Sequence, residues 1–383
     1  MQGKGKSIFG DRQAEERRRR RQIRNWIILV VLVVGVLVGL QLLRNVGGTT
    51  EISVNRMTCF ASQSVTPFGE NVLYYDDASI HCLSGTGAIR WSFPVGSGAS
   101  FAASDTHLVI WQGSQLYIVD QNGRATYNEA MTGEVQFARI GSRYAAIVVG
   151  SDTEPDLVVR DLQGAQVDEE TEAFSSMLLL DVGFYGDQGE YMWTLAMDVY
   201  GTALNTVLNT FQVGKMNTGE VSLGEKLAYK VIFENKKLRV FTTQQLYTYD
   251  YKAVQDTNST MLVYGWKLID SYIPARGDAR LLLAPISQTG NTQAITELRL
   301  LTGSDDRRFA LPSSCVGAMV QDQSIYGFSG QYMYRSDVGN QRFYAYALPL
   351  PEGETVTAYL GQLSSGRVLL ASGETVYSVS LPK

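Results

Sequence analysis

The sequence predicts an all-β ring of repeated four-stranded sheets, preceded by one apolar helix, and three observations carry that prediction. The chain of 383 residues holds 37 glycines against 9 prolines, and its 21 tyrosines and 14 phenylalanines favour pleated, half-buried strands. Beyond Thr50, short alternating strands and glycine turns recur at intervals of roughly 40 residues. Ahead of them, residues 26–43 form an 18-residue run without a formal charge. An apolar content of 45% with 19% charged residues excludes wholesale disorder. Three cysteines are too few for a disulfide framework, and two histidines leave little room for histidine metal centres.

The first element is a basic tail. Residues 1–25 carry nine basic and three acidic groups, a local +6, including five consecutive arginines from Arg17 to Arg21. Residues 45–383 carry 23 basic and 35 acidic groups, a local −12. That split predicts two solvents, and the acidic body excludes nucleic acid as a partner.

The second element is the run WIILVVLVVGVLVGLQLL, which opens with Trp26 and ends at Leu43. As a helix it would measure roughly 27 Å, close to the hydrocarbon thickness of a bilayer. In lipid a helix is the one single-segment way to satisfy every backbone group. The arginine block before it predicts a cytoplasmic N-terminus, with Trp26 at the headgroup level and everything after Arg44 exported. A signal peptide cleaved near Val46-Gly47-Gly48 is the alternative reading. Against it stand the long basic region, an apolar run beyond the usual 7–15 residues and the lack of an A-x-A site. Residues 44–50 form a linker that reaches at most about 25 Å, so the exported domain is expected near the membrane surface. Its acidic balance opposes adsorption onto anionic lipid.

The third element is the repeat domain, residues 51–383. Residues 71–94 (NVLYYDDASIHCLSGTGAIRWSFP) read as strand, turn, strand, glycine turn, strand, and the same order returns from His107. Glycine turns fall at matching points at Gly87, Gly123, Gly164, Gly219, Gly303 and Gly339. Their task is a positive φ between the two outer strands. One turn of the series lacks its glycine and is expected near 255–259, where Asp, Asn and Ser replace it less readily. Divided among eight units the domain gives about 42 residues each, which suggests propeller blades that bury their faces only by stacking. Eight blades are expected, with seven if the irregular unit around Trp193 is an insertion. A β-sandwich would use fewer strands than the roughly 30 implied. The chain stops at Lys383, where an outer strand should begin. Residues 52–57 (ISVNRM) are therefore expected to supply that strand and close the ring.

The run Cys82-Leu83-Ser84-Gly85-Thr86-Gly87-Ala88-Ile89-Arg90-Trp91 resembles the PQQ-type propeller repeat: a strand, a Thr-Gly turn and a tryptophan four residues later. Thr218-Gly219 and Thr302-Gly303 are weaker echoes. The resemblance is to quinoprotein-alcohol-dehydrogenase-like propellers, which include the lipoprotein that helps assemble outer-membrane barrels. It extends to uncharacterised membrane-anchored propellers of Gram-positive bacteria. It implies the fold over the whole repeat domain, and it marks Thr86, Gly87, Trp91, Gly123, Gly164, Thr218, Gly219 and Gly303 as turn and blade-docking residues. A quinone-dependent member would use an adjacent cysteine pair, a calcium site and a catalytic aspartate. Cys59, Cys82 and Cys315 are nowhere adjacent, so no cofactor is expected.

Other chemistry is sparse. There is no G-x-S-x-G elbow, phosphate loop or H-E-x-x-H, and His81 and His107 have no partner at metal-ligand spacing. A Cys59–Cys82 bridge is left open. The acidic clusters Asp168-Glu169-Glu170 with Glu172, and Asp305-Asp306, lack calcium-loop spacing and read as solvated turns. Tyr247, Tyr249 and Tyr251 alternate and so share a face. That face is either packing between blades or an aromatic platform for a glycan or peptide. The function expected is a non-catalytic, membrane-anchored scaffold for an envelope protein or a cell-wall polymer. The alternative is a degenerate propeller enzyme with its site in the central funnel.

Overall fold

A computed structural model describes residues 52–171, 174–286 and 294–382. The basic tail, the span at 26–43, the linker and Glu172 lie outside the described residues. Among the described residues, thirty-two strands form eight antiparallel sheets of four. Seven blades are consecutive in the chain: residues 66–94, 100–130, 135–170, 178–224, 228–262, 266–315 and 317–347. Within a blade the strands are lettered a to d from the axis outward. Trp193 lies in strand b of a complete fourth blade, so eight is the count.

The eighth blade holds the ring shut. Its strands a to c are Ala358–Gln362, Val368–Ser372 and Thr375–Val379, and its strand d is Val54–Phe60 from the other end of the domain. The register runs Val54↔Val379, Asn55↔Ser378 and Arg56↔Tyr377, with a bulge before Phe60↔Thr375. Arg367 staples the join: Nη1 donates to Ser53 Oγ at 2.8 Å, Nε to Ser378 Oγ at 2.8 Å and Nη2 to Ser378 O at 2.6 Å. Ser62 Oγ donates to Glu374 at 2.7 Å on the far side of the bulge. The closure expected of residues 52–57 is present, and it removes the edge that a free strand c would expose.

One apolar cluster lies at every blade-to-blade interface. Between blades 8 and 1, for example, Met57, Cys59, Leu363 and Leu369 meet Val72, Tyr74 and Leu83. Eight such clusters mean that each blade buries both faces, as a ring demands.

The turns joining strands c and d show why the glycines recur. Ser84, Asp120, Asp161 and Asp250 each accept the N–H groups two and four residues on, at 2.8 to 3.4 Å. The residue three on takes positive φ: Gly87 at 97°, Gly123 at 78° and Gly164 at 90°. In blade 5 that residue is Ala253, at φ 60°. The glycine-free turn is therefore at 250–254, ahead of the 255–259 expected, because Asp250 supplies the cap that holds alanine in the left-handed region. Gly219 needs a correction of another kind. The c–d turn of blade 4 uses Gly214 at φ 70°, and Gly219 sits inside strand d opposite Thr210, beside a bulge. Gly303, at φ 56°, occupies a tight c–d turn in blade 6.

Because strands alternate in direction, the a–b and c–d turns share one face of the ring and the b–c and d–a loops the other. Strand Val54–Phe60 enters from the a–b/c–d face, where Ser380 N donates to Ser53 O at 3.0 Å. The chain thus enters and leaves the ring on that face. Among the described residues no helix is long and apolar enough to cross a membrane.

Candidate functional site

The residues of the repeat motif hold one blade against the next. Trp91, Tyr127, Asp168 and Gly219 occupy one register on strand d of blades 1 to 4, opposite Cys82, Ile118, Val159 and Thr210. Each meets the c–d turn of the following blade. Trp91 Nε1 donates to Gln121 O at 3.0 Å, and its ring covers Gly123, where an added Cβ would fall 2.7 Å from the indole. Tyr127 covers Gly164 in the same way, with a would-be Cβ at 2.1 Å. Asp168 Oδ2 accepts Gly214 N at 2.7 Å. At Gly219 the two backbones close directly, since a Cβ there would meet Lys252 O at 2.0 Å. Thr218 Oγ1 bonds Thr210 Oγ1 at 3.0 Å, and Thr86 Oγ1 lies 3.0 Å from Ser84 Oγ.

The aromatic platform does not form. Tyr247 and Tyr249 are 5% and 2% exposed in the cluster between blades 4 and 5, and only Tyr251 reaches solvent, at 41%. Packing between blades wins because alternate residues of an inner-lying strand c face the neighbouring sheet. The acidic residues Asp168 to Glu170 form strand d of blade 3, not a solvated turn. Asp305 and Asp306 begin strand d of blade 6, with Asp306 held bidentately by Arg299 at 2.9 and 2.7 Å.

The nucleophiles are mostly withdrawn. All three cysteines are free and buried, and burial pushes Cys59 up to about 11 and Cys82 and Cys315 up to about 12. Cys59 packs between blades 8 and 1 and Cys82 between blades 1 and 2, so the two thiols face different interfaces and are not bridged. Among the described residues no group of three or more His, Cys, Asp and Glu side chains could hold a metal.

One arrangement escaped the sequence reading. Asp76 Oδ2 lies 2.7 Å from His81 Nε2, and His81 Nδ1 lies 2.7 Å from Ser92 Oγ, with Tyr74 stacked on the imidazole. This is the residue order of a Ser-His-Asp relay with the two ring nitrogens exchanged. Asp76 Oδ1 also accepts Ala78 N and Ser79 N at 3.0 and 2.8 Å, so the trio pins the b–c turn of blade 1 to strands c and d. The Ser79 N–H and the His81 bond hold the Asp76 carboxyl below its ordinary value. Ser92 stands exposed on the outermost strand of blade 1.

The more recessed features are polar. On the a–b/c–d face, a cleft of about 390 Å³ between blades 5 and 6 is lined by Asn235, Lys237, Asn258, Ser259, Asp278 and Ser304. Its floor is a buried ion pair, Glu234–Arg239 at 2.5 Å. Glu234 Oε2 also accepts Ala279 N at 2.8 Å, and Arg239 Nη1 donates to Thr248 at 2.8 Å. Along the axis, bulges interrupt the inner strands of blades 3, 4, 5, 6 and 8, and in blades 4 to 6 Asp181, Lys230 and Asp270 resume the pairing after them. Arg139 Nε donates to Asp181 at 2.9 Å. Asp270 Oδ2 accepts Val320 N at 2.8 Å, while burial pushes its carboxyl up to about 6.

The opposite face is apolar in one sector. Over blades 4 to 6 the b–c and d–a loops expose Tyr200, Leu204, Leu227, Tyr264 and Ile286, and the end of strand d of blade 5 exposes Leu262, with Tyr264 72% and Leu262 66% exposed. Backbone bonds tie the segments carrying Leu227, Tyr264 and Ile286 together through the b–c loop of blade 5: Thr243 N to Leu227 O at 3.3 Å, Val263 N to Gln244 O at 2.9 Å and Ile286 N to Gly265 O at 2.9 Å.

No protein-family profile matches the sequence, and no curated protein matches it significantly. Among solved structures the chain is similar to Sqt1 of Saccharomyces cerevisiae, with 10% identity over 86% of this chain and 100% of that one, at a TM-score of 0.56. It is also similar to BamB from Moraxella catarrhalis, with 11% identity over 86% of this chain and 98% of that one, at a TM-score of 0.51. At such identities the likeness shows the propeller fold.

Proposed function

We propose that this chain is an exported, single-pass membrane protein whose propeller is a non-catalytic scaffold for a protein partner of the cell envelope. The observation that carries the binding role is the apolar sector over blades 4 to 6. Large hydrophobic side chains exposed together on hydrogen-bonded loops mark an interaction surface more often than chance decoration. A rigid ring with all eight interfaces packed is suited to presenting such loops. The sector lies on the face away from the point where the chain enters and leaves the ring. Apolar and aromatic groups of this kind suit a protein better than a hydrated wall polymer. The membrane span rests on the charge-free run at 26–43 and its arginine block. Membership of the PQQ-type propellers rests on the Ser84–Trp91 motif, whose tryptophan closes on the next blade as a docking residue should.

Site-specific photo-crosslinking in living cells tests the binding role. A crosslinker replacing Tyr264 should yield one discrete protein adduct, and a crosslinker replacing the exposed Ile89 on the other face should not. Equal adducts from both positions, or none from Tyr264, would reject the surface.

A further inference from the structure

A second cleft on the a–b/c–d face, between blades 6 and 7, has a volume of about 220 Å³. Arg280 opens strand b of blade 6, paired with Tyr272 on one side and Thr302 on the other. Its guanidinium carbon lies 5.6 Å from the Tyr272 ring centroid, so the fork is braced by an aromatic face. Its Nη1 is buried and, among the described residues, has no hydrogen-bond partner. A buried donor on a charged group that stays unpaired is costly, and native proteins almost always supply an acceptor.

The cleft around it is rich in donors. Arg307 projects from strand d, giving one nitrogen to Val338 O at 3.1 Å and another to Asp305 at 3.2 Å. Thr302 and Gln323 line the same space. Asp305 is the single carboxylate among the lining residues, and it is engaged by Arg307, which leaves the charge of Arg280 uncompensated. We infer that this cleft binds an oxyanion, a carboxylate or phosphate group received by the Arg280 fork. Guanidinium matches such groups bidentately. The volume is below the roughly 300 Å³ of ordinary small-molecule sites, so it admits one charged group of a larger ligand. The inference is independent of the apolar sector, which lies on the other face.

The test is calorimetric titration of the full-length protein in detergent at constant ionic strength, with inorganic phosphate in one arm and succinate in the other. Saturable binding in the millimolar range is expected, tighter for the anion class that the site serves. Arg280→Gln should weaken it at least tenfold. Asp305→Asn, which removes the competing carboxylate, should tighten it several-fold, and this variant keeps the test decisive if Arg280→Gln fails to fold. No saturable heat from either anion, meaning that Nη1 is satisfied by water alone, would overturn the proposal. Binding unchanged by both substitutions would overturn it equally.

Discussion

Asp270 offers a quantitative test of the ring's interior. It resumes the inner strand of blade 6 after the bulge at Ile269, and its carboxylate accepts Val320 N from the next blade at 2.8 Å. Burial raises its pKa from 3.8 to about 6. Below the unfolded value both states are protonated and the group is neutral in the balance. Between about pH 4 and 6 the folded state holds a proton that the unfolded state has lost, so stability falls as pH rises through the folded pKa. Two units at 1.36 kcal/mol each give about 3 kcal/mol as an upper bound, and about 1–3 kcal/mol once partial hydration of the axis is allowed. Asp270→Asn keeps an acceptor for Val320 N and removes the charge. Urea denaturation of the two proteins from pH 4 to 8 should show them equal at pH 4 and the variant more stable by about 1–3 kcal/mol at pH 7.5. A variant less stable at pH 7.5 would refute the reasoning, because it would mean that the ionised carboxylate has a compensating partner in the channel.

Further outcomes follow from the same structure. Gly164→Ala meets both a φ of 90° and the Tyr127 ring, and should destabilise by about 2–4 kcal/mol. Gly113→Ala, at φ 57° with nothing within 4 Å, should lose only about 1–2 kcal/mol in the same melts, and equal losses would sink the blade-docking account. Arg367→Met removes four bonds at the closure and should lower stability by about 1.5–3 kcal/mol, with proteolysis beginning at residues 52–60. A fluorophosphonate should leave Ser92 unmodified by intact mass, whereas a stoichiometric adduct would show that the Asp76–His81–Ser92 relay activates a nucleophile.

The fold was legible because its determinants are local. Glycine turns such as Gly87 and Gly123 and the alternation of strands such as 107–112 report the blade, and counting blades exposes the strand missing at Lys383. The turn at Ala253 was misplaced because an aspartate cap can replace glycine, and sequence spacing alone does not reveal where the cap sits. Gly219 was misread because a glycine needed for close backbone approach looks the same as one needed for positive φ. The platform of Tyr247 and Tyr249 dissolved because alternation shows that residues share a face, but not whether a neighbouring sheet covers it. The cleft at Arg280 and the relay at His81 join residues whose proximity depends on sheet register and on the packing of adjacent blades. The apolar sector draws on loops from three blades, and no single stretch of sequence announces it.

The proposed export of the ring decides which partners it can meet, and cysteine labelling in intact cells tests that proposal most directly. The native thiols are buried, so background is low in the folded protein. A membrane-impermeant maleimide should label Lys215→Cys, on an exposed c–d turn of blade 4, and leave Lys6→Cys unlabelled until the cells are opened. Labelling at position 6 in intact cells, or protection at position 215 until lysis, would contradict the account.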